Sequence, residues 1–397
     1  MNSYKRIIEL PQDFSFFLFG PRQVGKSTLI NERFSTKSTI TYNLLHFDLI
    51  RKLTRDPSSF RDEINSRDYK KYTHVIIDEV QKLPWLLDEI HYIIENTKHP
   101  PYFILTGSSA RKLKKNGTNM LAGRALNKKL FPLTYFELIT NDSCSFNLQK
   151  ALEIGSLPQV YLSQPKERAI EILKSYVETY VKEEIKEEAL VRNLSAFSDF
   201  LLLSSEENGN LINYSNIASD IGLSSNSVKE YYQILEDTLI GFKLSPLKKS
   251  IRQRISKSPK FYYFDTGVQR ALSNKLSLSL TKGTKDYGKA FEHWIIKEII
   301  YLSKYADNDY RFSFYRTEDG VEVDLVIETP KKDLIAIEIK AKDNIQMNDI
   351  KGLISFRNQF SHAKLYCVSL ANHKKILNQN ITVLNWKDIF EVLKISF

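Results

Sequence analysis

Residues 321–340 read VEVDLVIETPKKDLIAIEIK. Asp324, Glu338 and Lys340 are charged residues set inside two otherwise apolar runs. Two carboxylates and a lysine set there are the residue types of a metal-dependent nuclease site. The alternative is a solvated hairpin face. Glu-x-Lys alone says little, because composition yields about one copy per chain. Glu184-Ile185-Lys186 is another copy, inside a charged helix, and reads as solvated surface.

A second group of residues is suited to phosphate. FFLFGPRQVGKSTLI is an apolar run, then a glycine-bounded loop, then a helical start. The segment Gly20, Pro21, Arg22, Gln23, Val24, Gly25, Lys26, Ser27 and Thr28 has the form of a nucleotide-binding P-loop. Gly20 and Gly25 permit the turns that aim backbone N–H groups at phosphate, Lys26 reaches the β- and γ-phosphates, and Ser27 ligates Mg²⁺. The following helix adds its positive dipole end. A chance match arises in on the order of one in a hundred chains of this length, and the strand–loop–helix context favours the nucleotide.

Downstream, HVIIDEVQKLP (74–84) ends an apolar strand in Asp78 and Glu79. Asp78 suits the Mg²⁺ shell, and Glu79 could polarise the attacking water. The strand YFILTGSSA (102–110) ends in hydroxyls. Thr106 or Ser108 could sense the γ-phosphate, or the segment is a Gly-Ser turn with a helix cap. Residues 111–130 carry seven Lys/Arg and no acid, and read as a basic loop facing an anion or as solvated surface. Within them Arg124 is the candidate transition-state arginine, in cis or across a subunit interface, with Arg22 as a further option.

The elements that must position the C-terminal acids follow from periodicity. Val321, Val323, Leu325 and Ile327 share one strand face; Ile335, Ile337 and Ile339 share another. If both apolar faces meet one core, the register is even, with 324 opposite about 338 and 322 opposite about 340. Opposed carboxylates repel unless a cation lies between them, so a metal site becomes the better reading, without deciding whether it cuts. Upstream, YGKAFEHWIIKEIIYL (287–302) is helical, and Glu292 leans toward its apolar side. Glu292 is either a third metal-facing acid or a helix glutamate paired with Lys289 or Lys297.

Between these ends the pattern is helical. Residues 166–190 read as a long amphipathic helix. Residues 214–240 read as helix, turn, helix, with Gly222 at the turn and Ser224 or Ser225 as cap. Residues 242–260 are basic, and FYYFDTG returns as a strand. That succession is a winged-helix pattern, touching DNA through phosphates or serving only as structure.

The chain has 397 residues, 42% hydrophobic and 26% charged, with net charge +10. It is long enough for two or three cores, and an anionic partner suits its charge. Cys144 and Cys367 form no zinc or disulfide pattern, which fits a reducing, cytoplasmic setting. No run reaches the ~18 apolar residues of a spanning helix, so no membrane partner is expected.

FLFGPRQVGKSTL, VIIDEVQKLP, ILTGSSARKL, LAGRAL and FPLTYFEL, in this order, resemble the AAA-type P-loop ATPases of bacteria and archaea that carry an extra C-terminal domain. The resemblance implies ATP as nucleotide and a parallel sheet in the AAA strand order. No second-sensor arginine is identifiable. Helix-Glu, then a strand with Asp, then a strand with Glu-x-Lys resembles the PD-(D/E)xK nucleases. It implies Mg²⁺ at Asp324 and Glu338, with Glu292 assisting and Lys340 acting on water.

The expectation is therefore an α/β protein in three parts: an AAA-type P-loop ATPase (1–140), a helical and winged-helix region (141–270), and a restriction-endonuclease-like α/β domain (271–397). ATP and Mg²⁺ are the expected cofactors, Lys26 and Glu79 the central ATPase residues, and DNA the expected partner, with a homo-oligomer as an option. The competing expectation is a nucleotide-dependent switch whose C-terminal domain binds or assembles without cleaving.

Overall fold

The computed structural model describes residues 4–34, 36–67, 71–108, 111, 113, 120–140, 146–181, 193–247, 258–377, 380–395 and 397. Glu184-Ile185-Lys186, Cys144, positions 248–257 of the basic segment 242–260, and positions 112 and 114–119 lie outside the described residues. Contacts divide the chain into two units. One is formed mainly by Met1–Pro132 with Ile234–Ile240, the other by Leu133–Glu183, Val191–Gln233 and Gly241–Phe397.

The first unit is built on strands β1 (Phe16–Phe19), β2 (Thr39–Asn43), β3 (His74–Asp78), β4 (Tyr102–Gly107) and β5 (Leu126–Lys129). Their order is β2-β3-β4-β1-β5, and every pairing is parallel. The central strands are near-continuous apolar runs because helices cover both faces of such a sheet. Phe16 to Phe19 are all at most 3% exposed. The Leu86–Asn96 helix packs Leu86, Leu87, Ile90 and Ile93 into the same core, as its spacing predicts. Part of the expected basic loop is strand: Leu126–Lys129 forms the edge beside β1, where its lysines keep access to solvent.

The second unit holds a mixed sheet of β6 (Gly241–Pro246), β7 (Lys260–Tyr263), β8 (Arg311–Arg316), β9 (Glu322–Glu328), β10 (Leu334–Lys340), β11 (Lys364–Ser369), β12 (Lys375–Leu377) and β13 (Ile381–Asn385). The order is β12-β13-β11-β10-β9-β8-β6-β7. Strands β8, β9 and β10 are antiparallel, and β11 and β13 continue in parallel from β10. The Lys285–Tyr305 and Lys351–Gln359 helices pack on β10, so Val323–Ile327 and Ile335–Ile339 are buried on both faces.

Helices at Leu148–Ile154, Pro158–Leu162, Lys166–Ser175, Leu194–Glu206, Tyr214–Asp220 and Ser225–Asp237 lie between the two sheets in sequence, and Thr266–Leu272 comes after β7. Ser224 Oγ accepts from Ser227 N at 3.1 Å, capping the Ser225 helix. The antiparallel pair β6–β7 follows, and Ser245 and Pro246 of β6 pair in parallel with Ser313 and Phe314 of β8. These residues, expected to belong to the middle region, thereby extend the C-terminal sheet. That pairing spans some 70 residues of chain, too distant for local periodicity to signal it.

Candidate nucleotide site and carboxylate cluster

The P-loop joins β1 to the Lys26–Arg33 helix. Gly25 has φ +94°, a left-handed conformation that a side chain would strain. Gly20 is needed for a different reason: an added Cβ would stand 2.3 Å from Leu130 O. Lys26 Nζ donates to Gly20 O at 2.7 Å and Pro21 O at 3.0 Å. Those carbonyls hold the ammonium at the loop, where a phosphate would draw it. Ser27 and Thr28 are exposed. Arg6, absent from sequence reasoning, buttresses the loop from beneath: its guanidinium donates to Val24 O at 2.7 Å and Phe131 O at 2.6 Å. A lone arginine near the N-terminus carries no signal that could have identified it.

Asp78 ends β3 beside this loop. Ser27 Oγ donates to Asp78 Oδ2 at 3.2 Å, and Thr106 Oγ1 donates to Asp78 Oδ1. The hydroxyl and carboxylate that would share a Mg²⁺ shell are therefore adjacent. Glu79 adopts φ +62°, unusual for a non-glycine residue and common where a site holds strain. Its N–H donates to Thr106 Oγ1 at 3.2 Å, and its carboxylate accepts from Gln81 Nε2 at 2.5 Å. Gln81 also donates to Ser108 Oγ at 3.3 Å. Thr106 and Ser108 are thus buried and turned toward Asp78 and Gln81. Gln81 was not singled out from sequence; its only signal is a polar residue two places after Glu79. Arg124 pairs with Glu95 and donates to Ala122 O at 3.1 Å, and Arg22 is half-buried in the loop.

In the second unit, β9 and β10 pair Leu334 with Glu328 and Ile337 with Leu325. Continued one step, that register sets Glu338 opposite Asp324, as the matched apolar faces require. Asp324 Oδ2 accepts from Ile339 N at 2.7 Å. Lys340 Nζ donates to Glu338 Oε1 at 2.5 Å and lies 3.8 Å from Asp324 Oδ2. Glu338 Oε2 is buried with no hydrogen-bond partner. Gly352 admits the overlying helix here: an added Cβ would meet Glu322 O at 1.9 Å and Glu338 Oε2 at 3.0 Å.

Glu292 pairs with neither Lys289 nor Lys297 in these contacts. Its Oε1 accepts from Tyr262 Oη at 2.7 Å and lies 3.6 Å from Lys260 Nζ. Lys260 also pairs with Glu322, which takes Arg316 NH1 at 2.7 Å. A cavity of about 340 Å³ opens beside them, lined in part by Lys260, Lys289, Glu292, Arg316 and Glu322. Lys260 and Tyr262 were read only as parts of a basic segment and a strand. Among the described residues, no group of three or more His, Cys, Asp or Glu side chains could hold a metal ion. The Asp324–Glu338 pair, with its unpartnered oxygen, has the hard-oxygen chemistry that would suit one divalent cation with water completing its shell.

Burial, followed by the charge of Glu292, pushes the Asp324 carboxyl up to about 6. Burial and the charge of Asp324 raise Glu338 as well. Burial alone would lower Lys340, but Asp324 and Glu338 more than offset this and keep it charged. The sign of the pH dependence follows. A carboxyl raised in the fold favours folding while it is protonated. That stability is full below the unfolded value of about 4 and is lost as pH rises through about 6. Without divalent cation, wild type should lose thermal stability relative to Asp324→Asn between these limits, as read by melting at stepped pH in chelator. Parallel curves for the two proteins would count against it.

Residues 12–139 match the model of a family described as AAA domain. Residues 145–279 and 287–389 match two families each described as a domain of unknown function. The chain is 23% identical over 312 residues to an uncharacterized protein of Mycobacterium tuberculosis, covering 78% of this chain and 67% of that one. It is 22% identical over 376 residues to an uncharacterized protein of Methanocaldococcus jannaschii, covering 84% and 77%. Among solved structures, AMPPCP-bound DnaA from Aquifex aeolicus is 14% identical, covering 56% of this chain and 82% of that one with TM-score 0.26. The clamp loader delta protein of Bacillus subtilis gives 12%, 72%, 95% and TM-score 0.24.

The family match and the parallel sheet bearing a P-loop support a nucleotide-binding ATPase of the AAA type in the first part of the chain. Among the described residues no helix is long and apolar enough to cross a membrane.

Proposed function

We propose that the protein is a Mg²⁺-dependent ATPase acting on nucleic acid, with a cation-assisted phosphodiester site in its C-terminal part. In the ATPase part, Lys26 binds the β- and γ-phosphates, Ser27 and Asp78 would hold Mg²⁺, and Glu79 orients water with Gln81 behind it. In the C-terminal part, Asp324 and Glu338 would hold a divalent cation, which would supply Lewis-acid chemistry to a phosphodiester, and Lys340 supports the attacking water and the developing charge. In this reading the chain works as three modules at 1–140, 141–270 and 271–397, with the helix–turn–helix and the β6–β7 pair as a winged helix touching phosphates while β6 also joins the C-terminal sheet. ATP, Mg²⁺ and DNA are the ligands of this reading.

The observation that carries it is the unpartnered, buried Glu338 Oε2 beside Asp324 and Lys340. A structural hairpin gains nothing from an unsatisfied buried carboxylate, which costs free energy unless something binds it. A second reading, a nucleotide switch whose C-terminal part binds without cutting, is favoured by the lack of any three-acid metal group among the described residues.

Labelled single- and double-stranded DNA and RNA, incubated with the protein, Mg²⁺ and ATP, separate the two. Cleavage by wild type that falls at least about a hundredfold in Asp324→Ala supports the nuclease reading. ATP turnover without cleavage on any substrate leaves the switch. Normal ATP turnover in Lys26→Ala would remove the P-loop assignment itself.

A further inference from the structure

The acids around the C-terminal site are not equivalent. Glu292, Glu322, Asp324 and Glu338 come from one helix and two adjacent strands, and two lysines divide them. Lys340 takes Asp324 and Glu338 and leaves Glu338 Oε2 unpartnered. Lys260, from β7, takes Glu292 and Glu322, and these two are occupied further by Tyr262 and Arg316.

Lys260 is unusual for a lysine. It is 4% exposed, and its ammonium stands 5.5 Å from the centre of the Phe314 ring. A buried ammonium is costly unless paired and well bonded. Here the pairing is with carboxylates that would otherwise repel one another and Asp324. A lysine held so tightly, between acids beside a polar cavity, sits where a second divalent cation would otherwise be drawn.

We infer that Lys260 is a built-in counter-cation that withholds Glu292 and Glu322 from metal, so that the C-terminal site takes a single divalent cation, on Asp324 and Glu338. This rests on the cation reading of that site. Lys260 is a positioning residue: it touches the acids, not the phosphodiester. Glu292, the expected third metal-facing acid, is on this account a partner of Lys260.

The test counts Mn²⁺ on the full chain. Lys26→Ala with Ser27→Ala silences the P-loop, nucleotide is omitted, and free Mn²⁺ is followed by electron paramagnetic resonance. The background protein should bind one tight Mn²⁺, lost in Asp324→Asn. Adding Lys260→Gln should raise the count to two, and Lys260→Arg should keep it at one. Should Lys260→Gln fail to fold, Glu292→Gln decides alone, because Tyr262 and Glu322 still support its neighbourhood. It should leave Mn²⁺ affinity within about threefold, and a loss of tenfold (about 1.4 kcal/mol) or more would overturn the inference. A count of one in folded Lys260→Gln overturns the role of Lys260 while leaving the cation reading intact. A count of zero in the background protein overturns both.

Discussion

Glu79→Gln will lower ATP turnover by about a thousandfold while nucleotide affinity stays within about threefold. A positioned carboxylate that orients and deprotonates water contributes on the order of 10²–10⁴-fold, and an amide of the same shape cannot take the proton. Affinity should survive, because the groups that would grip phosphate are Lys26 and the loop amides. The geometry supports a dedicated role. The backbone of Glu79 holds a left-handed φ of 62°, its N–H is engaged by Thr106 and its carboxylate by Gln81. Strain of that kind persists where the surroundings over-determine it. Steady-state kcat and KM, with an independent binding titration, give the answer. A change confined to KM, or turnover within threefold of wild type, would reassign the base.

The second large effect concerns stability. Gly155→Ala should destabilise the second unit by about 3 kcal/mol or more. Gly155 has φ 73° and ψ −161°, a region open in practice only to glycine. There is also no space: an added Cβ would stand 1.9 Å from Asp265 Oδ1. Asp265 cannot retreat, since it accepts from Ser156 N at 2.7 Å and from Val268 N at 3.1 Å. Gly283 is the internal control. Its φ is +85° but nothing lies within 4 Å of its Cβ position, so Gly283→Ala should cost only about 1 kcal/mol. Urea midpoints of the two variants check the difference, and equal midpoints would remove the steric argument.

Gly155 also shows where sequence reading stopped. GSLPQVY was legible as a turn, and FDTG as the end of a strand. That the two lock together was not. Asp265 caps its own Thr266–Leu272 helix while holding Ser156, and Thr266 Oγ1 donates to Ala151 O at 2.6 Å. Each motif has a sufficient local explanation, so nothing in the spacing asks for the other. Lys297 and Glu298 behave alike. They lie in the middle of the Lys285–Tyr305 helix, where only Glu292 was weighed as facing inward, yet both are fully buried. Lys297 reaches Ser156 Oγ at 3.1 Å, and Glu298 accepts from Tyr135 N at 2.8 Å.

The sites divide in the same way. The P-loop form of Gly20 to Thr28 could be read because it consists of consecutive backbone turns and one following helix, all local in sequence. Asp78 and Glu79 could be read because a strand end is visible as the end of an apolar run. Their supports, Arg6 and Gln81, were silent: one is remote in sequence and the other is an unremarkable polar residue.

By itself the sequence determined the P-loop, the acidic end of β3, and the hairpin register that brings Asp324 opposite Glu338. Each rests on short-range rules: turn chemistry, strand termination, and the two-residue period that lets an apolar face choose its register. Only the tertiary structure decided what those acids face. It added β6 and β7 to the C-terminal sheet, delivered Lys260 to Glu292 and Glu322, and left one oxygen of Glu338 without a partner. Strand pairing across tens of residues and the burial of a charge are settled by the packed whole, where the cost of an unpaired ion is felt, and no local pattern records them.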